Sequence, residues 1–214
     1  MAGRVMELIG KGRTADVFAL SPSKVLRRYR DGDTALDEAR VMHHVRSQGY
    51  PVPEVFDATE TDLVMARLHG PTMFEILVRK PWLVTSHGRL LGRLHDRLHA
   101  IEAPDWLGPS PGDRVLHLDL HPNNVIMTPD GPSVIDWCNA AAGEPAFELA
   151  TTYLTLRTSE IPITMIKLIR RPLARAFLRG SVTDPSPRLA DAAAARLRDP
   201  HTTPTEQVRL RRML

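Results

Sequence analysis

The stretch Val115–Trp137, VLHLDLHPNNVIMTPDGPSVIDW, constrains this chain more than any other. Pro129-Asp130-Gly131 is a strong turn signal, because proline presets φ, aspartate closes a local turn and glycine accepts positive φ. Val125-Ile126-Met127 and Val134-Ile135 flank the turn, so the segment reads as a β-hairpin. With the turn centred on residue 130, Asn124 stands opposite Asp136. Asp119 lies five residues before Asn124, on the loop entering the hairpin. An amide oxygen and a carboxylate are hard ligands of the kind Mg²⁺ takes, and a second carboxylate nearby suits the orientation of a hydroxyl or a water. Each residue alone has an ordinary alternative: Asp119 and Asn124 as turn formers, Asp136 as a helix cap. Together they make His-x-Asp-x-x-x-x-Asn, a short hairpin, then Asp after two apolar residues. That spacing has a specific use in phosphoryl transfer.

The rest of the chain is punctuated by proline, which breaks helices and central strands. Residues 34–48 have helical character, with Thr34 and Asp37 at capping-box spacing and Gly49 as the stop. In 83–101, Leu83, Leu90, Leu91, Leu94, Leu98 and Ile101 form a helical stripe. Pro145 suits the first turn of a helix that places Phe147, Ala150 and Leu154 on one face. Strands cluster early, at Val5–Ile9, Asp16–Leu20, Val25–Arg30 and Asp62–Met65. A β-rich lobe over 1–67 followed by a mainly helical lobe over 68–214, with one hairpin inside it, is an α+β pattern.

Composition removes several classes. Of 214 residues one is cysteine, which excludes a disulfide scaffold and any multi-cysteine zinc site. No run approaches the roughly 18 apolar residues of a membrane span. MAGRVMELIG has no apolar h-region, so a secretory leader is not expected and the expected location is cytoplasmic. The net charge of +3 hides an asymmetry. Residues 161–214 hold eleven Lys+Arg and four Asp+Glu, a balance of +7, whereas residues 1–160 balance at −4. A polyanion partner is one reading of the basic segment. Solvated helical faces are the simpler one, and aromatics at 5% supply few stacking platforms for nucleic acid. His95 and His99 stand at i, i+4 but lack the Glu of a zinc-protease helix, so packing explains them better than a metal.

His117-Leu118-Asp119-Leu120-His121-Pro122-Asn123-Asn124 closely resembles the catalytic loop of the aminoglycoside phosphotransferase and choline kinase-like family. Ile135-Asp136-Trp137 resembles that family's metal-binding motif. Pro145-Ala146-Phe147-Glu148-Leu149-Ala150 looks like the helix that follows it, with Glu where Asp is usual. Leu94-His95 and Leu98-His99 resemble the helix before the catalytic loop. From about residue 160 no match is recognisable. The resemblance implies a two-lobed protein kinase-like fold and an ATP-dependent kinase acting on a hydroxyl of a small molecule. It implies Mg²⁺ on Asn124 and Asp136, and Asp119 as the group that accepts the hydroxyl proton.

In that frame Gly10-Lys11-Gly12-Arg13-Thr14-Ala15 is the loop covering the phosphates, with Gly10 and Gly12 giving backbone N–H groups close access. The family's phosphate-contacting lysine falls on Val25-Leu26-Arg27-Arg28-Tyr29. Arg27 is the better match, and a one-residue slip selects Arg28 and the other face. Arginine keeps the charge but is longer and planar. Glu38 is the implied partner carboxylate. Leu63–Leu68 resembles the hinge, where Met65 and Leu68 would meet adenine. Cys138, next to the metal motif, is expected to be buried and inert.

Only eight residues separate Asp136 from Pro145, too few for a peptide-binding activation segment. The acceptor is therefore expected to be a small hydroxylated molecule. In the resembling family the acceptor pocket is built largely from C-terminal helices, which here carry +7, so a polycationic antibiotic is not the expected substrate. The 78 residues after Asp136 are few for the family, so the substrate region is expected to be either trimmed or completed by a second subunit in a homodimer. The alternative reading is a catalytically weak nucleotide-binding module that acts through a partner, with arginine in place of lysine as its main support.

Overall fold

The computed structural model describes residues 6–12, 14–30, 35–108, 112–160 and 164–213, the first three of the last segment as backbone only. Thr34 of the expected capping box and Arg13 of the glycine-containing loop lie outside the described residues. In chain order the elements are β1 (Glu7–Lys11), β2 (Ala15–Ala19), β3 (Lys24–Tyr29), α1 (Ala35–Ser47), β4 (Val55–Ala58) and β5 (Asp62–Ala66). Then come α2 (Met73–Arg79), α3 (Val84–His99), β6 (Arg114–Leu116), β7 (Val125–Thr128), β8 (Gly131–Val134) and β9 (Ala141–Gly143). The chain continues with α4 (Pro145–Thr158), α5 (Thr164–Leu178), α6 (Leu189–Arg198) and α7 (Pro204–Arg211). The fold class is α+β, and two compact units form: Met1–Gly70 with Ile126–Ala140, and Pro71–Val125 with Ala141–Leu214.

The first unit is built on an antiparallel sheet in the order β1-β2-β3-β5-β4. Helix α1 turns Ala35, Glu38, Ala39, Met42 and Val45 inward at helical spacing and packs on β4 and β5. It ends where Gly49 takes φ +77° and the Tyr50 N–H reaches back to the Val45 carbonyl, a Schellman closure that needs glycine's left-handed freedom. The hairpin β7–β8 connects through Pro129-Asp130. Its strands stop at Val125 and Val134, so the expected pairing of Asn124 with Asp136 is not a ladder pair. Asn124 closes a 3₁₀ turn, and Asp136 sits at φ +70°. Both residues leave extended geometry before the pairing reaches them.

In the second unit, α3 and α5 approach closely. A Cβ on Gly88 would lie 2.6 Å from Ala176 Cβ, and one on Gly92 would lie 2.4 Å from the Phe177 carbonyl oxygen. These two glycines, four residues apart, form the groove that seats α5. Helices α4, α6 and α7 share a core of Ala150, Leu154, Ala192, Ala193 and Leu210. Strands β6 and β9 pair antiparallel from Arg114/Gly143 to Leu116/Ala141. That short ladder delivers the chain into His117–Asn124.

Candidate active site

In the first unit the site is organised by Arg27. The pairing of β3 with β2 and β5 turns Arg27 inward, while Arg28 points out and pairs with Asp62. Arg27 is 8% exposed and donates Nη1 to Glu38 (3.0 Å) and Nη2 to Asp136 (2.6 Å). Burial works against its charge, and the two carboxylates more than offset that, so its pKa is raised. Glu38 is 2% exposed and fully engaged. It also accepts the Tyr29 hydroxyl and the Trp137 backbone N–H. Trp137 is buried with its ring edge-on to Tyr50, so the Ile135-Asp136-Trp137 segment is pinned by its indole. Cys138 is exposed, which corrects the expectation of burial. Its sulfur is turned against Asp136 (3.3 Å), where desolvation and then the carboxylate push the thiol up to about 12. It therefore stays protonated at neutral pH.

The other N-terminal candidates also have defined places. Gly10 lies in β1, and the Gly12 N–H closes the turn onto the Ala15 carbonyl at 2.8 Å. Met65 lies inside β5 opposite Val25 and Val55. Leu68 follows the last bond of that strand, from the Arg67 N–H to the Ser23 carbonyl.

In the second unit a single buried carboxylate holds the loop after β6. Glu148 on α4 is fully buried. Its Oε1 accepts the backbone N–H groups of His117 (2.9 Å) and Leu118 (2.6 Å), and its Oε2 accepts from His99 Nε2 (2.7 Å). Burial alone would raise its pKa. The hydrogen bond from His99 and the neighbouring histidines outweigh that and lower the carboxyl to about 2. Leu118 is held at φ +61°, a left-handed conformation that non-glycine residues rarely take. The Asp119 N–H donates to His117 Nδ1 (3.2 Å), so His117 braces the loop. Asp119 itself is 40% exposed at its side chain, with His121 Nε2 at 3.4 Å. The Asn124 amide nitrogen donates to the Asp119 carbonyl (2.9 Å) and to its Oδ2 (3.3 Å). Of that side chain, the amide oxygen is the atom that could coordinate a cation. His95 is buried, donates Nδ1–H to the Leu91 carbonyl and meets Thr152 through Nε2. His95 and His99 are thus both used in packing. Among the described residues no group of three or more His, Cys, Asp and Glu could hold a metal ion.

Asp119, His121, Phe74, Leu77, Thr155 and Arg170 are among the residues lining a cavity of about 210 Å³. Arg170 also borders a second cavity, of about 490 Å³, lined with Arg157, Lys167, Arg171, Arg209 and Arg212. Thr152 and Arg170 were not singled out by their sequence. Nothing marks them there, because their place depends on which helix packs behind the loop.

A model of the phosphotransferase enzyme family matches residues 5–114 and 81–179. The chain belongs to that family. Membership makes it a phosphotransferase that acts on a hydroxyl group. No curated protein gives a significant sequence match. The solved structures supply the fold. An ADP-bound aminoglycoside phosphotransferase APH(2'')-Ib aligns with TM-score 0.66 at 12% identity, covering 91% of this chain and 83% of that one. An aminoglycoside phosphotransferase APH(4)-Ia, solved with AMP-PNP and hygromycin B, aligns with TM-score 0.61 at 17% identity, covering 96% and 83%. A Plasmodium vivax ethanolamine kinase aligns with TM-score 0.62 at 12% identity, covering 97% and 81%. The phosphotransferase thus has the two-lobed kinase-like fold. Among its described residues no helix is long and apolar enough to cross a membrane.

The buried histidine gives the phosphotransferase a defined acid sensitivity. Burial lowers His95 from the ordinary 6.5 to about 4. Between those values the unfolded chain binds a proton that the folded chain refuses, so stability falls as pH falls. The full loss is on the order of 3 kcal/mol. Glu148, depressed from 4.5 to about 2, adds a further loss below pH 4.5. Thermal melts from pH 7 to pH 4 should show Tm dropping through this window, and His95→Gln should flatten the drop between 6.5 and 4.

Proposed function

We propose that this phosphotransferase transfers the γ-phosphoryl group of ATP to a hydroxyl of a small molecule that is not a polycation. The observation that carries the reading is the loop from His117 to Asn124. A buried carboxylate fixes its backbone, and Asp119 is left half-exposed on a cavity wall. ATP as donor is supported by the nucleotides bound in two related structures, ADP and AMP-PNP. Gly10 and Gly12 would cover the phosphates, Arg27 held by Glu38 would contact them, and the hinge around Met65 and Leu68 would meet adenine.

In this reading Asp119 accepts the proton of the acceptor hydroxyl. The acceptor oxygen bonds to the γ-phosphorus, and the bond from that phosphorus to the β-phosphate oxygen of ADP breaks. Positioning and charge stabilisation supply most of the rate. Asn124 and Asp136 each offer a hard oxygen of the kind Mg²⁺ takes. When bound, the ion would neutralise charge on the phosphates. The polycation is disfavoured because the cavity beside Asp119 carries Arg170 on its wall, and the neighbouring cavity adds five more cations.

One observation favours the second reading, a weakly catalytic nucleotide-binding module. Arg27 already occupies Asp136, so a metal ion must compete with a guanidinium for that carboxylate. Mg-ATP at about 100 times its Kd should stabilise either version by roughly 2.7 kcal/mol. The enzyme alone should also release ADP when hydroxylated acceptors are added. Stabilisation without ADP release would select the module, and no stabilisation would sink both.

A further inference from the structure

The two cavities share one residue. Arg170 lines the smaller one together with Asp119, and it lines the larger one together with Arg157, Lys167, Arg171, Arg209 and Arg212. Part of this crowding has a structural cause. Arg170 donates Nη2 to the Ser159 carbonyl (2.6 Å) and Arg209 donates Nη1 to the Thr158 carbonyl (2.8 Å), so both cap the end of α4, where the helix dipole favours cations. Arg157 donates to the Tyr153 hydroxyl. Capping leaves Lys167, Arg171 and Arg212 unexplained. Among the described residues the side chains of these three make neither a hydrogen bond nor an ion pair. The nearby carboxylate, Glu206, is already spent on the N–H groups of Thr203 and Glu160.

Six cations with so little counter-charge repel one another. Burial and then Arg209 and Arg157 lower the pKa of Arg170, which is the direction expected of a guanidinium lacking an anion. A guanidinium also keeps several N–H donors in a planar fork, and one bond to Ser159 uses only one of them. The remaining donors suit an oxyanion, which they bind in charge-assisted pairs.

We propose that the acceptor carries an oxyanion, phosphate or carboxylate, besides the hydroxyl that is phosphorylated. Arg170 binds that oxyanion, and the cations of the larger cavity draw it in. The inference rests on the kinase reading for the role of Asp119, and it deepens that reading by naming the substrate class. A nucleic acid is the poorer occupant, because among the described residues no aromatic side chain lines the basic cavity to stack on a base.

One scaffold in four charge states tests this: glucose 6-phosphate, gluconate, glucose and glucosamine, with ADP formation followed on the full chain. An oxyanionic member should exceed glucose at least about tenfold in kcat/KM, and which of the two leads separates phosphate from carboxylate. Arg170→Gln should raise KM for that acceptor about 10- to 100-fold, the range of a charged hydrogen bond, and change glucose far less. Arg171→Gln, exposed and without a structural partner, should raise the same KM about two- to tenfold. Preference for glucosamine or glucose, or an equal effect of Arg170→Gln on charged and neutral acceptors, overturns the proposal. A binding arm needs no turnover: with ADP held saturating, inorganic phosphate should bind the wild type and bind Arg170→Gln at least about tenfold more weakly. Phosphate binding that depends on Arg170 without any ADP formation would leave the anion site standing and remove the kinase. ADP formation with neutral acceptors only would do the reverse.

Discussion

Asp119→Ala should lower phosphoryl transfer by about 10²- to 10⁴-fold, the usual contribution of a positioned base. It should leave stability within about 0.5 kcal/mol of wild type, as for a surface change. The second half of that expectation makes the first informative. Asp119 is 40% exposed at its side chain, and its Oδ2 contact with Asn124 is long at 3.3 Å. Asn124 keeps a better bond to the residue-119 carbonyl, at 2.9 Å, which alanine preserves. The loop backbone is held from below, through the N–H groups of residues 117 and 118, and alanine at 119 touches neither. Mg-ATP binding should therefore survive while turnover is lost. The measurements are ADP release, a melt and nucleotide titration on one preparation. Full activity in this variant would end the kinase assignment.

Much of this was legible before the structure, for physical reasons that differ by element. The helical stripe at 83–101 is long and one-sided, and it becomes α3 at Val84–His99. The choice between Arg27 and Arg28 needed the register of β3, which only pairing with β2 and β5 fixes. Strands β6 and β9 are three residues each, and their partners lie more than twenty residues away, so no local pattern announces them. The hairpin was recognisable from its turn, but its length was not. The sequence predicts a buried Cys138, but it is the adjacent Trp137 that takes the buried position, and the alternation leaves the thiol exposed. Glu148 was visible only as a residue matching the family's helix. A charge on a helix reads as solvent-exposed unless a polar partner is known to lie behind it, and here the partners are two backbone N–H groups three strands earlier in the chain and the His99 imidazole on α3.

Glu148→Ala should be the most disruptive single change outside the proposed chemistry. Glutamate at this position satisfies three donors at once: the N–H groups of His117 and Leu118 and the Nε2–H of His99. All lie in or beside a fully buried site, so water does not readily replace the lost oxygens. Removing one partner of a buried charged pair costs about 3–5 kcal/mol. For a chain of this size each kcal/mol moves Tm by about 2–4 °C. Leu118 adds a second consequence. Its left-handed backbone costs about 1–2 kcal/mol and persists because Glu148 holds the N–H. Without that bond the backbone should relax toward negative φ and carry Asp119 with it. The variant should thus lose kcat even at temperatures where it remains folded. Glu148→Gln separates the two effects, since it keeps one acceptor oxygen for the loop but lacks the charge facing His99. It should fall between wild type and alanine in Tm and recover more kcat than stability. A Glu148→Ala protein with wild-type Tm and kcat would mean that the loop is held by something other than this carboxylate.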